Sequence, residues 1–197
     1  MQIIFNTNNQ AKDFSSKNTD LFPKAPDKCP FKNCKMPVKL KKHGFYSRCI
    51  ISSDYYGDIF IRRYICPVCG RTISFLPVFV LRRFIYSATY ILELLILFYK
   101  KGISLLNFIL YIADEYSEIT RRHMNYYRKR LINNRNLIQY ALNLINPECA
   151  PLKLIPDNQI WVKAFLTEVH KKGPQAFLFE FSNITGRSFM TTNNMVA

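Results

Sequence analysis

Acidic residues are the scarcest charged groups in this chain: 13 Asp and Glu stand against 28 Lys and Arg in 197 residues. Beyond Glu118 only Glu148, Asp157, Glu168 and Glu180 remain, widely spaced. A two-metal nuclease or strand-transfer centre needs several carboxylates converging from one folded core, which this spacing does not offer. Glycine is sparse as well, with 6 residues, and neither a Gly-rich phosphate loop nor a nucleophile elbow occurs. The three histidines, His43, His123 and His170, read as non-catalytic. A binder is therefore expected rather than an enzyme, with no catalytic residue and no small-molecule substrate.

Long apolar runs are also missing. No basic segment precedes an apolar core at the N-terminus, so nothing marks export. The strongest membrane candidate, residues 84–99, is too short to span, carries Glu93 and is followed by Lys100-Lys101-Gly102. A buried helix explains it better, so no membrane partner is expected and the location is expected to be cytoplasmic, at the nucleoid.

What is present is base, apolar bulk and paired cysteine. The net charge is +15, and 49% of the residues are hydrophobic. That is enough apolar material for a real core, and the charge points to a polyanionic partner. Cysteines occur as Cys29-Pro-Phe-Lys-Asn-Cys34 and Cys66-Pro-Val-Cys69-Gly-Arg. Each pair can aim two thiolates at one ion from a tight turn, and together they supply the four soft ligands of a closed structural Zn²⁺ site. Gly70 follows the second pair, where positive φ helps the backbone fold round the metal. Between the pairs, Ile50-Ile51 and Ile59-Phe60-Ile61 suit strands, with residues 54–58 as the hairpin tip. This is the layout of a zinc ribbon over residues 28–80. Cys49 and Cys149 have no close partner and are expected as ordinary half-buried residues, and His43 as a surface residue of the hairpin.

Residues 1–27 read as a polar, partly disordered arm. Residues 28–48 hold seven Lys and Arg and no acid, interleaved with Phe31, Phe45 and Tyr46. They make either a solvated face or a phosphate-contacting surface. Residues 75–80 read as an apolar connector. A helical domain is expected over 81–147, giving a mainly α fold with a small β zinc ribbon. Its first helix is capped by Ser87, runs to about Lys100 on a stripe of Ile91, Leu94, Leu95 and Phe98, and stops at Gly102. Its second is capped by Ser104, with Leu105, Phe108, Ile109 and Ile112 in register. A short break over 114–117 follows.

Thr120 is the expected N-cap of the third helix, with Ile119 and Met124 as a hydrophobic staple. At 100° per residue, Met124, Tyr127 and Leu131 share one face. Arg122, Asn125 and Lys129 share the other, flanked by Arg121 and Arg128. Helix, turn and a helix with an outward basic and amide face is how a helix-turn-helix presents its recognition helix to a major groove. A helical pair with merely solvated cations has the same pattern. Residues 136–145 read as further helix. A linker bracketed by Pro151 and Pro156 comes next. Asp157 then caps a last helix with Ile160, Trp161, Ala164, Phe165 and Val169 inward, stopped by Gly173-Pro174. Residues 176–181 read as a short strand, and the tail from Ser182 as loose. Residues 148–197 thus form a linker, helix and tail of open role.

The stretch Arg63-Tyr-Ile-Cys66-Pro-Val-Cys69-Gly-Arg-Thr-Ile-Ser74 resembles the second knuckle of zinc ribbons in bacterial insertion-sequence transposases. Those read Arg-Tyr-x-Cys-x-x-Cys-Gly-Arg-Thr-Phe-Ser, and Lys42-His-Gly-Phe-Tyr-Ser-Arg48 is similar to their upstream hairpin. Ser117-Glu-Ile-Thr120-Arg-Arg-His123 matches their helix-turn-helix only loosely. The resemblance implies Cys29, Cys34, Cys66 and Cys69 as zinc ligands and DNA contacts from the helix starting at Thr120. The first knuckle departs from the family in its Cys-x₄-Cys spacing, and no acidic catalytic domain follows. The implied protein is a transposon-encoded or transposase-related accessory factor that binds double-stranded DNA, with a transposase or other protein subunit as a further partner. A transcription regulator of the same architecture and an RNA-binding zinc-ribbon protein are the alternatives.

Overall fold

The computed structural model describes residues 1–34, 36–114 and 118–191, with the side chains of Ala150 and Pro151 left aside. The chain divides between Ser87 and Ala88 into two compact units. The first is built on a small four-stranded sheet and the second is helical, so the fold is mainly α with a small β part. The break falls after the expected boundary at residue 80, because the segment that follows the sheet packs back on it: Val78, Val80 and Leu81 are buried, and Ile51 bridges to Tyr86.

In the first unit the strands are β1 (Gln2–Phe5), β2 (Lys41–Ile51), β3 (Tyr56–Ile65) and β4 (Thr72–Pro77), in the order β1-β4-β3-β2. β2 and β3 form the expected hairpin, tightened at Ser52–Tyr55 by Ser52 N–H donating to Tyr55 O at 2.8 Å. Tyr56, Gly57 and Asp58, expected in its tip, already belong to β3. The first half of the apolar connector expected over 75–80, Phe75-Leu76-Pro77, belongs to β4. Its unbroken apolar character has a cause: β4 lies between β3, antiparallel, and β1, parallel, with both faces covered.

The N-terminal segment is the main correction to the sequence reading. Residues 1–27 are not a loose arm. β1 pairs with β4, residues Ala11–Ser15 form a 3₁₀ turn, and Phe14 is fully buried. Phe5, Phe14 and Phe22 pack edge to face or tilted at 5.3–6.5 Å, and Phe22 reaches Phe45 at 5.9 Å. A few large aromatics anchor a segment whose average composition is polar, since each removes a large apolar area from water.

The second unit holds α1 (Ala88–Lys101), α2 (Leu105–Ile112), α3 (Arg121–Asn133), α4 (Arg135–Ile145), α5 (Asn158–Lys172) and α6 (Pro174–Thr185). Ile91, Leu94, Leu95 and Phe98 of α1 are buried as expected, and Gly102 N–H closes its end onto Phe98 O. The Ser104 side chain accepts from Asn107 N–H and caps α2. Phe98 and Phe108 join these helices at 5.1 Å. Of the break expected over 114–117, residues 115–117 lie outside the described residues. No single helix among the described residues is long and apolar enough to cross a membrane.

Beyond residue 148 the chain contributes to the core of the helical unit. Residues Pro147–Leu154 form a 3₁₀ segment rather than a linker, and Asp157 caps α5 through Gln159 and Ile160 N–H groups at 2.8 Å. Trp161, Val162, Phe165, Leu166 and Val169 are buried, whereas Ile160 is exposed, since the buried stripe is centred on Trp161. The strand expected over 176–181 is α6. Pro174 starts it at a position where the missing N–H costs nothing, and Phe177, Leu178 and Phe181 fall on its buried side. The alternating Phe177, Phe179 and Phe181 mimic strand periodicity, but packing on Phe165 at 5.5 Å settles the helix. The tail from Ser182 is likewise ordered as far as Thr191: Phe189 and Met190 are buried, and Asn134 Nδ2 donates to Phe189 O at 2.8 Å. Residues 192–197 of that tail lie outside the described residues.

Candidate metal centre and basic helix face

The two cysteine pairs sit at one end of the sheet. Cys29 and Cys34 lie in the turn before β2, where Cys34 N–H donates to Phe31 O and Cys29 N–H to Met36 O. Cys66 and Cys69 lie in the β3–β4 turn, where Cys66 N–H donates to Arg71 O and Gly70 N–H to Cys66 O. Gly70 takes φ of 68°, the left-handed conformation expected for it.

All four sulfurs lie within 4.8 Å of one another. Cys29 Sγ is 3.8 Å from Cys69 Sγ, and Cys34 Sγ is 3.9 Å from Cys66 Sγ. None of these thiols is in a disulfide. A tetrahedron with metal–sulfur bonds of about 2.3 Å has edges of about 3.8 Å. The four cysteines are thus close enough together to hold a metal ion. Burial pushes the Cys29 thiol up to about 12, and hydrogen bonds with the neighbouring thiols add to this. Backbone hydrogen bonds from Cys69 and Val68 hold Cys66 down at about 7 despite its burial. A bound cation would displace the proton that the buried Cys29 sulfur otherwise keeps.

The remaining cysteines and His43 stand apart from this cluster. His43 is exposed on β2, as expected. Cys49 is exposed rather than half-buried, and Cys149 is buried beside Glu168.

On α3 the expected division of faces is present. The Thr120 hydroxyl accepts from His123 N–H, and His123 Nδ1 accepts from Thr120 N–H, both at 3.4 Å. Ile119, Met124, Tyr127 and Leu131 are buried, while Arg121, Arg122, Asn125 and Lys129 are exposed. Arg128 is placed differently. It lies over the Phe98 ring at 5.5 Å, and its guanidinium donates to Tyr99 Oη and Gln159 Oε1. These contacts tie α3 to α1 and α5 within the helical unit.

Two guanidinium placements escaped the sequence reading. Arg62 is 4% exposed, over Phe45 at 4.8 Å and Tyr64 at 5.3 Å, with Nε lacking a hydrogen-bond partner. Arg71 lies exposed over Phe31 at 5.1 Å. The signal available was aromatic residues at ladder positions beside arginine, such as Phe45 opposite Arg62. Compared with protein-family models, curated proteins and solved structures, the chain matches none.

Proposed function

We propose that this chain is a sequence-selective DNA-binding protein, stabilised by a structural Zn²⁺ in an N-terminal zinc ribbon and free of catalytic activity. The observation that carries the reading is the split surface of α3. Met124, Tyr127 and Leu131 hold the helix from one side and leave Arg122, Asn125 and Lys129 exposed on the other. In this reading α2 and α3 act as a helix-turn-helix, with α3 entering the major groove. The connection between them, residues 113–120, is longer than the 3–4 residues typical of that motif.

Zinc is the ion the donor set favours, because four thiolates with no oxygen ligand suit Zn²⁺ or iron, and a closed tetrahedron suits a structural ion. Its chemistry would be confined to cross-linking the two knuckles. The kinship suggested by the Arg63–Ser74 stretch makes an accessory factor of a mobile element the leading biological role. The factor would act beside a transposase subunit, and a transcription regulator of the same build is the neighbouring possibility.

The test is a substitution panel on α3, titrated against a selected and a scrambled duplex. Asn can contact adenine bidentately, so Asn125→Ala is expected to relax preference at a defined base position, at a cost of about 1–3 kcal/mol. Arg121→Ala is expected to weaken binding to all sequences alike. Unchanged affinity and preference in Arg122→Ala, Asn125→Ala and Lys129→Ala would remove α3 as the reading element. Equal binding to RNA of the same sequence would favour an RNA-binding protein instead.

A further inference from the structure

Charge is unevenly shared between the two units. Met1–Ser87 carries fifteen Lys and Arg against five acids, a net +10, while Ala88–Ala197 carries thirteen against eight, a net +5. Within the first unit the charge is polarised again. Asp54 and Asp58 lie at or next to the hairpin turn, whereas Lys28, Lys32, Lys39, Lys41, Lys42 and Arg71 lie at the cysteine end, all exposed, with Asp27 the acid nearest them in sequence. The strands separate these ends by about 30 Å at roughly 3.3 Å per residue. That is well beyond a screening length of about 8 Å at physiological salt. Among the described residues none of these six side chains is paired with a carboxylate, and the two ion pairs found there both lie in the helical unit.

Local geometry turns the charge outward. The β2–β3 register slips between Lys42 and Phe45, and Gly44 takes φ of 77°, so the strand bulges where Lys41, Lys42 and His43 are exposed. Arg71 rests on Phe31, which restrains the guanidinium beside the first knuckle. Six exposed cations outnumber the net charge of about −2 that a Zn²⁺ held by four thiolates would place there, so their mutual repulsion is only partly offset, and a polyanion relieves the rest.

We propose that the cysteine end of the sheet is a second, sequence-independent contact surface for the phosphate backbone of duplex DNA. It deepens the proposed function by separating two tasks: α3 reads bases, and the knuckle end supplies backbone affinity. For each phosphate that is no longer neutralised, the salt dependence of binding should fall by about 0.9 in log–log slope.

The experiment uses the full-length, zinc-loaded protein and a duplex bearing a selected site. Three forms are compared over a range of salt: a knuckle variant (Lys32→Gln, Lys41→Gln, Lys42→Gln), a charge-matched control (Lys100→Gln, Lys153→Gln, Lys163→Gln) and Asn125→Ala. The knuckle variant is expected to show a slope smaller by about two to three units, keep its base preference, and retain the zinc content of the parent with a thermal midpoint at or above the parent's. The control should keep the parental slope. An unchanged slope in the knuckle variant, or an equal reduction in the control, overturns the inference. A reduced slope in the knuckle variant with full preference kept in Asn125→Ala leaves the inference standing and counts against α3. Preference abolished in Asn125→Ala beside an unchanged knuckle slope does the reverse.

Discussion

Replacing Cys66 with serine is expected to unfold the first unit while the helices of the second persist. Cys66 and Cys29 are buried in the same core cluster as Phe14, Ile61 and Ile73. The metal would therefore be enclosed by that core rather than attached at its edge. A structural Zn²⁺ contributes about 10–16 kcal/mol to folding at neutral pH, as much as the whole stability of an ordinary domain. A three-cysteine site with a buried serine hydroxyl would forfeit most of that. Circular dichroism should show the sheet signal gone with helical signal kept, limited proteolysis should cut within residues 28–74, and metal analysis should fall from one zinc per chain to none. Strong chelation of the parent protein should do the same. A metal-free Cys66→Ser protein with protected strands would show that the apolar core alone holds this unit.

Trp161→Ala should be the most damaging single truncation in the helical unit. The indole is fully buried, lies 5.5 Å from Phe165 with an interplanar angle of 6°, and donates from Nε1 to Gln139 Oε1 at 3.1 Å. Gln139, buried in α4, spends its Nε2 on Asn143 Oδ1 and Cys149 O. Truncation would leave a cavity worth about 3–5 kcal/mol and strand an amide oxygen at a further 1–3 kcal/mol or so. Thermal melting followed by the helical signal should show the midpoint falling by many degrees, with zinc content unchanged. Trp161→Phe should recover most of the packing but not the hydrogen bond. A melting curve for Trp161→Ala matching the parent would mean that α5 does not complete this core.

Where the sequence was readable, the reason is local. The cysteine knuckles are short turns whose spacing dictates their geometry, and Thr120 and Asp157 cap their helices through atoms two or three residues away. The buried face of α3 followed from one helical wheel. The N-terminal segment and α6 are not legible locally because their structure is decided at long range. Gln2-Ile3-Ile4-Phe5 is a respectable strand pattern, but only pairing with β4 makes it one. Phe177 and Phe181 fit either period until Phe165 and Phe189 supply the surface they pack on. Arg128 shows the same limit at the candidate site. The wheel places it at the flank of the outward face and says nothing of Tyr99 and Gln159, distant in sequence, which accept from its guanidinium.

The most direct test of the account is a selection of bound fragments from a random duplex library by the zinc-loaded protein, followed by titration of the recovered site over a range of salt. A shared sequence is expected among the recovered fragments, with an affinity that falls linearly with salt on a log–log scale, by about 0.9 per phosphate contacted. Recovery of no common sequence, together with binding that does not respond to salt, would contradict it.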